Sequence, residues 1–312
     1  MTDQPRQRWW KKKRYIIPLV LFGPPALLVF LLVFNGLVLA NNEQPTSNLT
    51  ADDLAVAATG IEQPQLKVVA YNIAKGFAHQ GGLSFADEET VRERMRQVAE
   101  LIRAEQPDLV FLSEAIVECG PCPVNQVELI AQEADLDYWI FGENYNLGLP
   151  LYRVVGGNAI LSRHPIKPID NPSLAGRQPF YVTKNNRRVL YAGLHINGYP
   201  LLLASIHNDS FDLENNAAQM RQILVRTDGV DTLMAGDFNA KPDEPPIQLI
   251  RESGRFTGKL DGPLTFSAKN PHQTIDFIFA PADWELIEHR VPVSDASDHL
   301  PVVSTFRVPA RE

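Results

Sequence analysis

Six short apolar runs in this sequence end in, or carry, a side chain that can bind a metal or move a proton. Residues 68–72 (VVAYN) end in Asn72, residues 109–114 (LVFLSE) in Glu114, and residues 202–207 (LLASIH) in His207. Residues 231–239 (DTLMAGDFN) deliver Asp237 and Asn239, residues 274–279 (TIDFIF) carry Asp276, and residues 297–301 (SDHLP) set Asp298 and His299 ahead of a last apolar strand. Apolar runs of this length bounded by turn residues read as buried strands. A cap or a satisfied turn explains any one polar terminus well enough. Six in succession make coincidence a poor account of the pattern.

The 231–239 stretch carries the argument furthest. Thr232, Leu233, Met234 and Ala235 have the apolarity of a core strand, and Gly236 marks where the backbone must turn or admit something close. On extended backbone, side chains two apart point the same way, so Asp237 and Asn239 can face one ligand together. The carboxylate offers charge to a metal or a proton, and the amide offers a neutral donor to an anionic oxygen. An Asx turn after the strand is the equal alternative.

Elsewhere the pattern alternates between strand and helix. Val91, Met95, Val98 and Ile102 make one apolar stripe, which predicts a packing helix over 88–105, and Leu213, Ala217, Met220 and Leu224 make a second stripe after His207. Asn197-Gly198 between 189–195 and 199–206 is a strong hairpin signal. Mixed pairing with helices on the outer faces is therefore expected, which suits a four-layer α/β sandwich of two packed mixed β-sheets. Asp209 is read as the cap of the second helix. Asn158 and Arg163 are read as a turn and an ion pair. His79, His164, His195, His272 and His289 are assigned no role.

The YN at Asn72, the SE at Glu114, GNAILSRHPI at 157–166, the strand end at His207, GDFN, TIDFIF and SDHLPV together resemble the endonuclease/exonuclease/phosphatase superfamily. These are metal-dependent hydrolases of deoxyribonuclease I-like fold, among them abasic-site endonucleases, secreted deoxyribonucleases, neutral sphingomyelinases and inositol phosphatases. The matching motifs run from about residue 66 to 308, nearly all of the part that follows the N-terminal segments. The resemblance implies that Asp276 orients His299, as a carboxylate fixes an imidazole tautomer in other hydrolases.

The N-terminus is separate. Arg6, Arg8, Lys11, Lys12, Lys13 and Arg14 precede residues 16–40, an uncharged apolar run long enough to cross a bilayer. The basic flank predicts a cytoplasmic segment at 1–15, a transmembrane anchor at 16–40 and everything after it outside the cytoplasm. A cleaved signal peptide ending at Val38-Leu39-Ala40 is the rival, although the run exceeds the usual apolar core of such peptides. Residues 41–65 read as a polar linker with a short helix around 52–58, and residues 66–309 as the catalytic domain. Cys119 and Cys122, in ECGPCP, are expected to form a local disulfide in an oxidising compartment.

The candidate chemistry follows from the donors. Glu114, Asn72 and Asp298 are the expected metal ligands, in an oxygen-rich site with Asp237 that suits Mg²⁺ or Mn²⁺ over zinc. Asp237 would orient or deprotonate the attacking water, Asn239 would donate to a phosphoryl oxygen, and His207 and His299 would contact the phosphate or move protons. The substrate is then a phosphate ester: a lipid headgroup, a small phosphodiester or nucleic acid. With +5 on residues 1–41 and −8 overall, the rest of the chain carries −13, which disfavours a general polyanion binder. The one basic cluster, 184–188 (KNNRR), reads as a solvated approach to a hairpin. A monomeric membrane-tethered phosphoesterase is the expected function. An extracytoplasmic nuclease is the alternative, and a non-catalytic binding module is disfavoured by the full ligand set.

Overall fold

Period-two alternation along the strands decides which side chains meet. The computed structural model describes residues 6–40, 43–78, 84–176 and 187–310. Its first sheet runs in the order β1 (Thr46–Ser47), β4 (Tyr138–Leu149), β5 (Tyr152–Ser162), β3 (Leu109–Cys119), β2 (Gln65–Asn72), β13 (Val302–Arg307) and β12 (Glu285–Arg290). The second runs β10 (Phe256–Gly258), β11 (Asp276–Pro281), β9 (Thr232–Asp237), β8 (Tyr199–His207), β7 (Leu190–Ile196) and β6 (Lys167–Asp170). The β2–β3 and β8–β9 pairs are parallel and the other paired strands antiparallel, so both sheets are mixed.

On β2, Leu66, Val68 and Ala70 face the space between the sheets, while Val69 and Tyr71 face outward. On β8 and β9, Leu201, Leu203, Leu233 and Ala235 face the same inner core, while Ala204, Ile206 and Met234 face outward. Helices α3 (Glu88–Glu105) and α4 (Gln126–Glu133) cover the first sheet, and α5 (Leu213–Arg226) and α6 (Pro245–Ser253) cover the second. The result is the expected four-layer α/β sandwich. The α3 stripe of Val91, Met95, Val98 and Ile102 is fully buried, each side chain contributing about 2 kcal/mol of burial. Asp87 caps this helix by accepting from the Thr90 amide. Asn197 and Gly198, at φ 48° and 83°, turn β7 into β8.

Two expectations are corrected and a third is refined. The cap of α5 is Asp212, which accepts from the amides of Glu214 and Asn215; Asp209 sits one turn earlier, accepting from the Phe211 and Asp212 amides and from Asn215 Nδ2. Cys119 and Cys122 are free, buried thiols, bridged only through a backbone bond from the Cys122 amide to the Cys119 carbonyl. The short helix expected around 52–58 is present, but the described part of 41–65 is docked on the domain and does not hang free. Residues 46–47 form β1 against β4, and α2 (Ala51–Thr59), capped by Thr50 and Asp53, packs against β7 and β6.

At the N-terminus, α1 (Arg6–Phe34) continues into a π turn at Asn35–Leu39. Val20–Leu39 has a mean hydropathy of 2.1 and is long and apolar enough to cross a membrane. The end of this helix packs against β4.

Candidate active site

Strand parity builds the site. Continuing the inner-face alternation by one step on β2, β9 and β11, and by two on β8 past Ser205, places Asn72, Asp237, Asp276 and His207 on the inner face, at the strand ends. Register closes the group further: His207 lies beside Asp237 on the parallel β8–β9 pair, and Asp276 lies opposite Asp237 on the antiparallel β9–β11 pair. Gly236 is needed here because a Cβ at its φ of 138° would meet the Ile206 carbonyl of β8 at 2.1 Å. Glu114 arrives by another device. Strict alternation would send it outward with Val110 and Leu112, but β3 carries a bulge between Leu112 and Ala115, and Glu114 takes φ 58°, which re-aims its side chain.

The contacts are short and mostly buried. Asn72 Nδ2 donates to Asp237 Oδ2 at 3.0 Å and lies 3.4 Å from His299 Nε2. His299 Nδ1 lies 3.1 and 3.0 Å from the two carboxylate oxygens of Asp276, and its Nε2 is 3.7 Å from Asp237 Oδ2. His207 Nε2 is 3.6 Å from Glu114 Oε1 and 3.7 Å from Asp237 Oδ2. Lys75 binds Glu114 Oε2, and Arg187 Nη1 lies 2.9 and 2.8 Å from the ring nitrogens of His207. Glu114, His207, Lys75 and Arg187 lie together in the lining of a cleft of about 710 Å³, which also includes Phe85, Ile116, Leu147, Tyr152 and Phe211.

Charge is arranged by these contacts. Burial, and then the Asp276 charge, push Asp237 up to about 7. Burial would lower His299, but Asp276 and Asp237 override it and hold the imidazolium up to about 10. His207 is pushed well below its usual range by burial and by Arg187, so it is neutral near pH 7. Burial opposes ionisation of Glu114, yet His207 and Lys75 bring it down to about 2; because His207 is itself neutral, the Lys75 ammonium is the partner that counts.

The profile of the Endonuclease/Exonuclease/phosphatase family matches residues 69–299. The chain belongs to this family. Its members are in general hydrolases of phosphate esters that depend on a divalent metal. No curated protein sequence matches the chain. Among solved structures, an endonuclease/exonuclease/phosphatase from Beutenbergia cavernae is 22% identical with a TM-score of 0.60, covering 79% of this chain and 72% of its own. The Bacteroides thetaiotaomicron mannosyl-6-phosphatase is 14% identical with a TM-score of 0.56, covering 78% and 100%. The human Nocturnin catalytic domain with bound sulfate is 16% identical with a TM-score of 0.54, covering 79% and 94%. At these identities the likeness is one of fold.

Against that fold, this endonuclease/exonuclease/phosphatase domain brings together Asn72, Glu114, His207, Asp237, Asp276 and His299. It does not bring in two of the expected residues in the same way. Asp298 is exposed at the rim, outside the Asp237–Asp276–His299 cluster; its carboxylate lies 3.4 Å from Ser297 Oγ. Asn239 takes φ 48°, so the extended-backbone premise fails at that residue: its amide N–H caps Asp237 Oδ1 at 2.9 Å in an Asx turn, and its Nδ2 donates to the Asn208 carbonyl at 3.1 Å. Asn158 is buried and donates from β5 toward the carbonyls of Arg188 and Ser205, and Arg163 donates to the Pro107 carbonyl and not to a carboxylate.

Lys75 and Arg187 were missed by sequence reasoning. Lys75 stands three residues past Asn72, and Arg187 lies in the basic cluster read as solvated; residues 184–186 of that cluster, and His79, lie outside the described residues. The donor set fits a divalent cation. Asp237 and Asp276 are two buried carboxylates without a Lys or Arg partner among the described residues, one ligand atom from each and one from His299 all lie within 4.8 Å of one another, and Glu114 already binds a cation, the Lys75 ammonium.

Proposed function

We propose that this chain is a membrane-anchored, divalent-metal-dependent hydrolase of phosphate esters that attacks with an activated water. The observation that supports it is the meeting of Asn72, Glu114, His207, Asp237, Asp276 and His299 from five strands and one loop in a single contiguous cluster, whose Glu114 and His207 line the cleft. Glu114 and Asn72, with Asp237 beside them, would hold a Mg²⁺ or Mn²⁺ ion, which would offset phosphate charge and polarise the scissile group.

The residues divide the remaining work. Asp237, lifted to about 7, is matched to take a proton from water near neutral pH through a carboxylate oxygen. Asp276 fixes the His299 ring through Nδ1, so that Nε2 carries a proton toward the reacting phosphoryl group. Neutral His207 contributes a hydrogen bond there, and Asn239 keeps a second N–H for a phosphoryl oxygen. The apolar helix at Val20–Leu39 is read as the anchor, its basic N-terminal flank inside and the catalytic domain outside the cytoplasm.

An extracytoplasmic nuclease with the same centre is the second reading, favoured by Lys75 and Arg187 in the cleft. The full chain in nanodiscs with Mg²⁺ tests both, assayed side by side on bis(p-nitrophenyl) phosphate, plasmid DNA, single-stranded DNA and phospholipid across a salt series. Turnover of the small diester or of lipid supports the proposal. Plasmid nicking that dominates and falls steeply with salt supports the nuclease, because phosphate neutralisation then carries binding. No turnover of any phosphoester sinks both.

A further inference from the structure

The β4–β5 hairpin lies between the apolar N-terminal helix and the cleft. Asn146 pairs with Val155, Leu147 with Val154, Gly148 with Arg153 and Leu149 with Tyr152, leaving Pro150 and Leu151 at the tip. The last turns of the helix pack on this hairpin: Leu31 and Phe34 are half-buried, Asn35 and Gly36 are buried, and β4 contacts both α1 and the π turn. A polar clasp holds the contact. Asn35 Nδ2 donates to Asn146 Oδ1 at 2.8 Å, Arg153 Nη1 reaches Asn35 Oδ1 at 3.5 Å, and Arg153 binds Glu118 through Nε and Nη2 at 2.9 and 2.8 Å.

Asn35 falls inside the apolar Val20–Leu39 span, so a hairpin clasped to it stands at the depth of the bilayer surface and not above it. The tip is composed for that place. Leu151 is 97% exposed, Tyr152 56% and Leu147 46%, an apolar cluster with a tyrosine, the residue type that favours the membrane–water boundary. Leu147 and Tyr152 also line the cleft, whose lining includes apolar Phe85, Ile116 and the 97% exposed Phe211, with cationic Lys75 and Arg187 beside Glu114 and His207.

We propose that the hairpin tip dips into the bilayer that holds the helix, and that the cleft draws its phosphoester from that bilayer. The substrate class is then an amphiphile: its phosphate sits at the Glu114–His207 end, and the apolar part next to the phosphate lies along Leu147, Tyr152 and Phe211. This rests on the membrane-anchor and phosphoesterase readings above.

The full chain in phosphatidylcholine nanodiscs provides the test. Cys119 and Cys122 are buried, so a maleimide fluorophore attaches selectively to Leu151→Cys, or to Val225→Cys on the exposed face of α5. Doxyl-labelled lipid should quench the label at 151 and spare the label at 225; equal quenching would overturn the docking, and this readout is independent of activity. The Leu151→Glu variant is then compared with wild type on phosphatidylinositol and sphingomyelin in the disc and on soluble bis(p-nitrophenyl) phosphate. Lipid turnover should fall by at least about ten-fold, since a charge is being forced into the interface, while soluble-diester turnover is unchanged. A soluble diester that is hydrolysed while neither lipid is, or a lipid rate indifferent to Leu151→Glu, would overturn the proposal. Absence of turnover on every phosphoester would instead defeat the phosphoesterase reading, with the quenching still deciding where the hairpin lies.

Discussion

Asp237 and Asp276 stand directly opposite each other on the antiparallel β9–β11 pair, two buried carboxylates in the arrangement where like charges repel most. His299 bridges the pair from one side and relieves only part of that repulsion. The site therefore stores electrostatic strain that a bound cation would discharge.

The strain has a pH signature. The carboxyl of Asp237, near 3.8 when unfolded, sits at about 7 in the native chain, so between these values the native state holds a proton that the unfolded state has released. Stability conferred by that proton is complete below pH 3.8 and is lost as pH rises through 7, on the order of 1 kcal/mol per pH unit at most. Thermal unfolding in EDTA should show the decline in wild type and a flatter profile in Asp237→Asn. That variant should also be at least as stable as wild type at pH 7.5 while losing activity. A parallel decline in both proteins would refute the assignment.

Asp276→Asn should lower kcat by about 10²–10⁴-fold with little change in KM, because it misplaces the proton on His299 without emptying the cleft. His299→Ala should cost as much, and the double variant little more, as groups acting through one another are not additive. Additive losses measured in steady-state kinetics would separate the two residues.

Chelation by EDTA should abolish turnover, and Mg²⁺ or Mn²⁺ should restore it and raise the unfolding temperature, since binding to the native state alone stabilises it. Restoration by zinc alone would contradict the oxygen-rich ligand set.

Lys75 occupies the carboxylate that a metal would need. Replacing it in Lys75→Met should tighten Mn²⁺ binding by on the order of ten-fold, read by titration calorimetry, because a competing cation has been removed. Weaker Mn²⁺ binding would mean that Lys75 supports the metal and does not compete with it.

Protease added to intact cells should reach the catalytic domain, while the chain stays with membranes through a carbonate wash. Recovery of a soluble fragment that begins near Asn41 would identify the N-terminal segment as a cleaved signal peptide.

Much of this centre was legible because period-two alternation is written in side-chain types. Once Leu201, Leu203, Leu233 and Ala235 are known to be core, His207 and Asp237 fall on the same face by counting. Glu114 does not obey the count, since the bulge at Leu112–Ala115 depends on a backbone conformation that Ser113-Glu114 does not advertise. Lys75 is hidden for a similar reason: Ala74, Lys75, Gly76 and Phe77 all take positive φ, from 46° to 59°, and fold the chain back over Glu114, though only one of the four is a glycine. Arg187 was visible as charge, but composition cannot say that a cation lies against a buried imidazole. The helix at 51–59 was legible, but its docking was not, because a two-residue strand and a nine-residue helix bury too little apolar surface to leave a pattern.

The division of the proposed catalytic group between the two sheets also governs when activity could first arise. Asn72 and Glu114 come from one sheet, His207, Asp237 and Asp276 from the other, and His299 from the segment leading into β13, which pairs with β2 on one side and with the edge strand β12 on the other. A nascent chain with β2, β3, β8, β9 and β11 in place still lacks His299. If His299 carries the proton as proposed, hydrolytic capacity is withheld until the 297–301 segment has been made and β13 has paired with β2.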